Sequence, residues 1–254
     1  MEAKNLSVYQ NFIVANSLYW MEFEGSFTPP ALPGQFMHVK IDNLFLRRPF
    51  SIAKCKNNRI GILYKVIGEG TEILSRKKKG DSLSVIGPLG NGYPLNADWK
   101  NICLAGGGTG IAPLLFLSDR LSGKDANITF LCGAKSRKDI AFRVLPCGIE
   151  SLFSTEDGSY GRSGLLDGIL KDFIRKSEKL DVIYGGGPAG LLKKIAAISN
   201  AMDIPAFVSL ENRMACGTGI CYGCVTKIWV GNGWEYKRIC REGPVFDTRE
   251  IRWD

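Results

Sequence analysis

Apolar and polar positions alternate in short runs over residues 1–97, the two-residue period of half-buried strands. Leu6–Ala15, Leu18–Phe23, Gln35–Ile41, Phe50–Ala53, Ile60–Val66 and Ser82–Ile86 are each rich in β-branched or aromatic side chains. Pro29-Pro30, Pro33-Gly34, Asn57-Asn58 and Gly87-Pro88 punctuate them. The run lengths and spacing predict a small antiparallel barrel.

Near Trp99 the pattern changes. Asn101–Ala105, Ile128–Cys132, Asp181–Tyr184 and Ala206–Leu210 read as short strands, with another expected over Gly148–Ser154. Ile111–Leu121, Leu165–Arg175 and Leu191–Ala201 carry helical periodicity. Strands alternating with helices predict a Rossmann-like parallel sheet of nucleotide-binding layout. The expected fold class is therefore multidomain β + α/β. An antiparallel β-barrel fills 1–97, a parallel-sheet α/β domain 98–208, and a small C-terminal segment 209–254.

That last segment holds the most specific chemistry in the chain. Cys216, Cys221 and Cys224 read C-x4-C-x2-C, with Cys240 further on, the plant-type spacing for a [2Fe-2S] cluster. Gly217, Gly219 and Gly223 let the loop fold tightly and bring N–H groups near cluster sulfurs. Four thiolates could also hold a structural zinc, although zinc ribbons more often use two C-x2-C pairs and here only Cys221 and Cys224 form one. A thioredoxin-like C-x-x-C would leave Cys216 and Cys240 spare.

Composition narrows the setting. The chain has 254 residues, 45% of them hydrophobic and 23% charged, values of an ordinary globular protein with room for two domains. No apolar run approaches the roughly 20 residues of a membrane helix. The N-terminal residues lead straight into a strand pattern rather than a secretory leader. With eight cysteines, this fits a reducing cytoplasm. The net charge is +8 but dispersed; the one dense run, Arg76-Lys77-Lys78-Lys79, reads as a solvated turn or as a patch for an acidic partner. No nucleic-acid-binding signature accompanies it. The single histidine, His38, sits in an alternating segment and reads as a structural strand residue. Few acid–base groups suit chemistry performed by a cofactor.

Several turns look prepared for anions. Arg47-Arg48-Pro49-Phe50-Ser51 pairs a charged fork with a neutral donor. Gly68-Glu69-Gly70-Thr71 precedes a short helix expected over Glu72–Arg76, with Thr71 as its cap. Gly106-Gly107-Gly108-Thr109-Gly110 follows a strand and opens a helix, although the strict G-x-G-x-x-G is not met. Gly185-Gly186-Gly187-Pro188 ends a second strand, so two glycine turns would line one crevice.

These pieces occur in the order seen in the ferredoxin–NADP reductase superfamily. Within it the chain most closely resembles the iron–sulfur electron-transfer subunits of dihydroorotate dehydrogenase B. The resemblance is carried by Arg48-Pro49-Phe50-Ser51, Gly70-Thr71, the turn from Gly87 to Gly92, the run from Ala105 to Pro113, the stretch from Ser209 to Gly217, and that from Cys240 to Phe246. It implies that the barrel binds FAD through Arg48, Pro49, Phe50 and Ser51, with Leu63, Tyr64 and Lys65 on the next strand and the pyrophosphate at Gly70 and Thr71. Gly106, Gly107, Gly108, Thr109 and Gly110 would receive the nicotinamide nucleotide, and Cys216, Cys221, Cys224 and Cys240 would ligate the [2Fe-2S] cluster. No side chain is expected to be catalytic in its own right.

The implied partner is a separate FMN-containing catalytic subunit that oxidises dihydroorotate in pyrimidine biosynthesis. Electrons would pass from FMN through the cluster and FAD to NAD+, within a heterotetramer of two subunits of each kind. Neither nucleic acid nor membrane is expected as a partner. The alternative is a similar flavin and iron–sulfur subunit of an NAD(P)H:ferredoxin oxidoreductase, hydrogenase or sulfite reductase. A zinc-binding interaction module would be a third reading, and would be colourless. Two positions depart from expectation. Gly186 stands where the superfamily usually has a cysteine, and Ala134–Asp139 offers both basic and acidic residues at the site that selects NAD over NADP.

Overall fold

Alternation along the first strands sends every second side chain into a common interior. The computed structural model describes residues 3–253. Six strands close a barrel in the order β1-β2-β5-β4-β3-β6. They are β1 (Lys4–Ala15), β2 (Leu18–Glu24), β3 (Phe36–Val39), β4 (Arg48–Lys56), β5 (Arg59–Lys65) and β6 (Ser82–Leu89). Val8, Met21, Phe23, Met37, Val39, Ile52, Ile60, Ile62 and Val85 fill it and are almost fully buried. β4 extends well past the expected Phe50–Ala53. Lys54 stays paired opposite Gly61, and Asn57 and Asn58, at φ 53° and 54°, close a tight hairpin into β5.

The helix α1 (Glu69–Ser75) covers one end of the barrel, with Leu74 buried among the barrel residues. It starts earlier than the sequence suggests. Gly68 is the N-cap, and Thr71 lies inside the first turn. There its hydroxyl accepts the N–H groups of Ile67 and Gly68 at 3.0 and 3.3 Å. The basic run beyond α1 is tied down locally: Arg76 pairs with Glu72 and Lys77 with Asp42, each at 2.6 Å.

The second domain is a seven-stranded sheet, built from β7 (Asn101–Gly107), β8 (Asn127–Ala134), β9 (Glu150–Thr155), β10 (Arg162–Ser163), β11 (Val182–Gly186), β12 (Ala206–Ser209) and, from the C-terminal segment, Val245–Asp247. The order is β10-β9-β8-β7-β11-β12 and then Val245–Asp247, all parallel except that last antiparallel strand. Helix α2 (Ala112–Leu121) packs between the sheet and the barrel, with Phe116 reaching the barrel core. Helices α3 (Leu166–Lys176) and α4 (Ala189–Ala201) cover the other face. Buried hydrophobic residues from Cys103 on β7 to Val208 on β12 form that layer.

The C-terminal segment carries the hairpin β13 (Val225–Val230) and β14 (Gly233–Arg238), then the sheet strand β15 (Val245–Asp247). The segment expected over 209–254 is therefore stitched into its neighbour rather than set apart from it. β15 completes the sheet edge, and Asn91 of the barrel domain donates its amide to the carbonyls of Arg241 and Glu242 at 3.3 and 2.9 Å.

Candidate cofactor sites

The cysteine loop is built by backbone geometry. Gly217 and Gly219 adopt φ of 67° and 85°, a region costly for other residues. The tight path turns N–H groups onto sulfur. Thr218 and Cys221 donate to Cys216 Sγ at 3.4 and 3.5 Å, Gly223 donates to Cys221 Sγ at 3.4 Å, and Cys240 donates to Cys224 Sγ at 3.4 Å. Burial pushes the Cys216 thiol up, but the N–H groups of Cys221 and Thr218 outweigh it and bring its pKa down to about 5. Burial, followed by the neighbouring Cys224, pushes Cys240 the other way, to about 12.

Backbone hydrogen bonds link the cysteines in two pairs, Cys221 N–H to Cys216 Sγ and Cys240 N–H to Cys224 Sγ. Among the described residues no three His, Cys, Asp or Glu side chains converge as ligands of one ion. A tetrahedral zinc needs four donors on one metal, whereas a two-iron cluster takes two thiolates on each iron. The donor set therefore fits the cluster. The pairs also differ in depth: Cys221 is exposed and Cys216 half-buried, while Cys224 and Cys240 are buried. Ile220 and Tyr222 flank the outer side, 80% and 58% exposed.

Arg238 at the end of β14 braces this loop. Its guanidinium donates to the Gly219 carbonyl at 2.7 Å, lies 4.7 Å from the Tyr222 ring centre, and is paired with Glu242. Hydrogen bonds from Arg238 hold the Glu242 carboxyl below its usual range.

On the inner side the loop meets the barrel. Phe36 and His38 project outward from β3, toward the cysteine segment, while Met37 and Val39 point into the barrel. His38 is 1% exposed. Burial, then the charge of Arg47, lowers its pKa to about 4 and keeps the ring neutral. The expectation of a structural strand histidine describes its place on β3 but misses the contact with the cysteine loop.

The residues expected at FAD divide by strand parity. Arg48 leads β4, and a Cβ on Gly70 would lie 3.7 Å from Arg48 Nε, so the charged fork and the first turn of α1 meet. Gly70 and Thr71 are first-turn residues whose N–H groups lack intrahelical partners. Phe45 and Ile67, on the two loops leading into these residues, leave their apolar faces 94% and 82% exposed. An anionic group with an aromatic moiety fits that combination. Pro49 and Ser51 are half-buried, away from the barrel interior. Phe50 and Tyr64 turn inward and pack edge to face, ring centres 5.9 Å apart, with the Tyr64 hydroxyl donating to Asn11 Oδ1 at 2.9 Å. The Tyr64 side chain is thus committed to the barrel, and only its backbone remains for a ligand. Leu63 is buried against residues of α2 and Lys65 is exposed.

Gly106 and Gly107 are the last residues of β7 rather than part of a turn, and Gly108–Ile111 form a single 3-10 turn into α2. Gly108 has φ 59° and open space beside it. The two glycine turns do line one crevice: Gly110 packs backbone to backbone on Gly186 and Gly187. At the end of β8, Asp139 is turned into its own cap, accepting from the Ser136 N–H and hydroxyl at 3.1 and 2.7 Å and from Asn16 at 3.2 Å. Hydrogen-bond groups that the sequence did not single out are Asn91, Arg238 and Glu242. Asn91 reaches the carbonyls of Arg241 and Glu242, and Arg238 reaches that of Gly219, so these contacts appear only in the assembled fold.

The chain is similar to several known proteins. Residues 211–252 match the family model for the iron–sulfur cluster binding domain of dihydroorotate dehydrogenase B. The chain is 38% identical over 99% of its length to the dihydroorotate dehydrogenase B (NAD(+)) electron transfer subunit of Caldanaerobacter subterraneus, covering 98% of that protein. It is 34% identical, over 99% of each chain, to the subunit of the same name from Bacillus velezensis. Among solved structures it is similar to NADH-dependent reduced ferredoxin-NADP oxidoreductase, with TM-score 0.84 and 27% identity over 98% of this chain and 90% of that one. The ferredoxin reductase of carbazole 1,9a-dioxygenase shares the fold at TM-score 0.69 and 17% identity, over 80% of this chain and 67% of its own. Among the described residues no helix is long and apolar enough to cross a membrane.

Proposed function

The chain belongs to the dihydroorotate dehydrogenase B electron transfer subunits, and on that premise we propose how its residues carry electrons from an FMN-containing partner subunit to NAD+. When bound, the [2Fe-2S] cluster supplies one-electron transfer, and FAD exchanges single electrons on one side and a hydride on the other. The protein's task is to hold these groups in line and keep water away from the flavin.

Cys216, Cys221, Cys224 and Cys240 hold the cluster, with the N–H groups of Thr218, Cys221, Gly223 and Cys240 directed at thiolate sulfur. Arg48, Gly70 and Thr71 take the FAD pyrophosphate, and Pro49 and Ser51 present a half-buried face beside it. Gly108, Thr109 and Gly110 receive the nicotinamide nucleotide at the start of α2. The partner is the FMN-containing catalytic subunit that oxidises dihydroorotate, assembled in two copies with two of this chain in the cytoplasm.

One observation supports the order of the groups. The cysteine loop has an exposed side, Cys221 with Ile220 and Tyr222, and a buried side, Cys224 and Cys240, packed with Phe36 and Leu89 of the barrel. A partner would meet the cluster on the first side, and the flavin would lie toward the second. Co-expression with the FMN-containing subunit should give dihydroorotate-dependent NAD+ reduction. Cys221→Ser should abolish that reaction and retain NADH-driven ferricyanide reduction through FAD. A fully loaded complex without the first activity would overturn the reading, and ferredoxin-linked activity would favour the other class of redox subunit, to which the similar solved structure belongs.

A further inference from the structure

Around the two buried cysteines the seam between the barrel and the cysteine segment is lined by apolar side chains. Phe36, Ile86 and Leu89 meet Cys224, Cys240 and Phe246 across it. His38 is a polar side chain buried among them. It lies on the outward face of β3, edge to face with Phe36 at 5.7 Å between ring centres, and is buried.

Its Nε2 has no hydrogen-bond partner; among the described residues the only other buried side-chain atom in that condition is Ser154 Oγ. A buried polar nitrogen left unpaired is unfavourable, and native structures pair nearly all such atoms. The ring rests on Gly217, the residue after Cys216: a Cβ there would stand 2.6 Å from Nε2 and 2.7 Å from Nδ1. The missing side chain and the left-handed φ of 67° at Gly217 together bring the cysteine loop onto the imidazole. Across the barrel ladder, His38 is paired with Pro49 of the strand led by Arg48. It therefore stands between the two cofactor sites.

We propose that His38 is a positioning residue for the cluster: its Nε2–H donates to a sulfur of the cluster unit held by Cys216 and its fellow ligands. This rests on the four cysteines being cluster ligands. Sulfide and thiolate only accept hydrogen bonds, and a neutral imidazole carries one N–H, so the tautomer with hydrogen on Nε2 is selected. Such a bond stabilises the reduced, more negative cluster and shifts its reduction potential upward. It also fixes the Cys216 end of the loop against the flavin barrel.

The chain's single histidine makes the test specific. The full chain, loaded with FAD and cluster and purified without a histidine tag, is labelled with 15N-histidine and reduced. Pulsed electron paramagnetic resonance should show one 15N coupling to the cluster spin. His38→Phe should remove the donor and shift the midpoint potential to more negative values, and His38→Gln should restore part of that shift. A reduced-cluster signal with no 15N coupling overturns the proposal even if His38→Phe fails to fold. So does an unchanged potential in a loaded His38→Phe protein. If the wild-type chain gives no cluster signal at all, the ligand assignment falls, and the proposal with it.

Discussion

Gly110 and Gly186 meet backbone to backbone at the mouth of the nucleotide crevice, and a Cβ on Gly186 would overlap the Gly110 carbonyl oxygen. The place where the superfamily usually carries a cysteine is here filled by a peptide group. Restoring the thiol should therefore harm the protein. Gly186→Cys forces the two turns apart, at about 1–3 kcal/mol for an overpacked site. The variant should melt at lower temperature and show a raised KM for NADH in ferricyanide reduction, with FAD content unchanged. Unchanged stability together with a lower KM would refute this account.

The approach of Arg48 to Gly70 makes a second prediction. The guanidinium is the charged donor beside the first turn of α1, and its Nη1 also bonds the Leu46 carbonyl at 2.8 Å, which fixes its direction. Arg48→Ala removes a charge-assisted hydrogen bond worth about 1.5–3 kcal/mol, so FAD should bind roughly ten- to a hundredfold more weakly. Arg48→Lys keeps the charge but not the fork, and should recover only part of that affinity. Flavin fluorescence titration of deflavinated protein measures both.

Much of this architecture is legible in the sequence because period and punctuation are local. The barrel strands announce themselves by alternation, and the sheet strands by short apolar runs ending at Gly106 and Gly185. The cysteine spacing likewise points to candidate donors without a fold. What sequence could not show is long-range direction. Tyr64 lies on an expected flavin strand, yet its parity turns it into the barrel toward Asn11. The turns of Gly110 and Gly186 are far apart in sequence, and only strand pairing brings them together. Asp139 looks available for a ribose, and only its cap with Ser136 and the contact with Asn16 remove it.

Asn11 illustrates the stability side of the same point. Its amide nitrogen donates to the carbonyls of Leu74, Ser75 and Lys77 at 3.0, 3.2 and 3.0 Å, and its oxygen accepts the Tyr64 hydroxyl. One side chain thereby caps the C-terminus of α1 and fixes it to the barrel wall. Asn11→Ala leaves the Tyr64 hydroxyl without its acceptor and removes a donor from the three carbonyls, although that of Leu74 keeps the Lys77 N–H, at about 1–3 kcal/mol in all. Thermal denaturation should show a clear drop. Because α1 carries Gly70 and Thr71, FAD retention through desalting should fall as well, while cluster content stays near one per chain. Loss of cluster with FAD retained would contradict the assignment.

Arg238 gives the complementary case. It joins the Gly219 carbonyl, the Glu242 carboxylate and the Tyr222 ring, and so holds the exposed side of the cysteine loop from behind. None of these contacts supplies a ligand, so Arg238→Ala should still assemble the cluster. The loop would then open more often, and the outer pair, Cys216 and Cys221, would meet water and oxygen. The visible absorbance of the cluster should bleach several-fold faster in air, while the flavin band and NADH-driven ferricyanide reduction persist. Glu242→Gln should act in the same direction and more weakly, because the Gly219 and Tyr222 contacts of Arg238 remain. Bleaching at the wild-type rate in both variants would mean that the backbone N–H groups alone hold the loop.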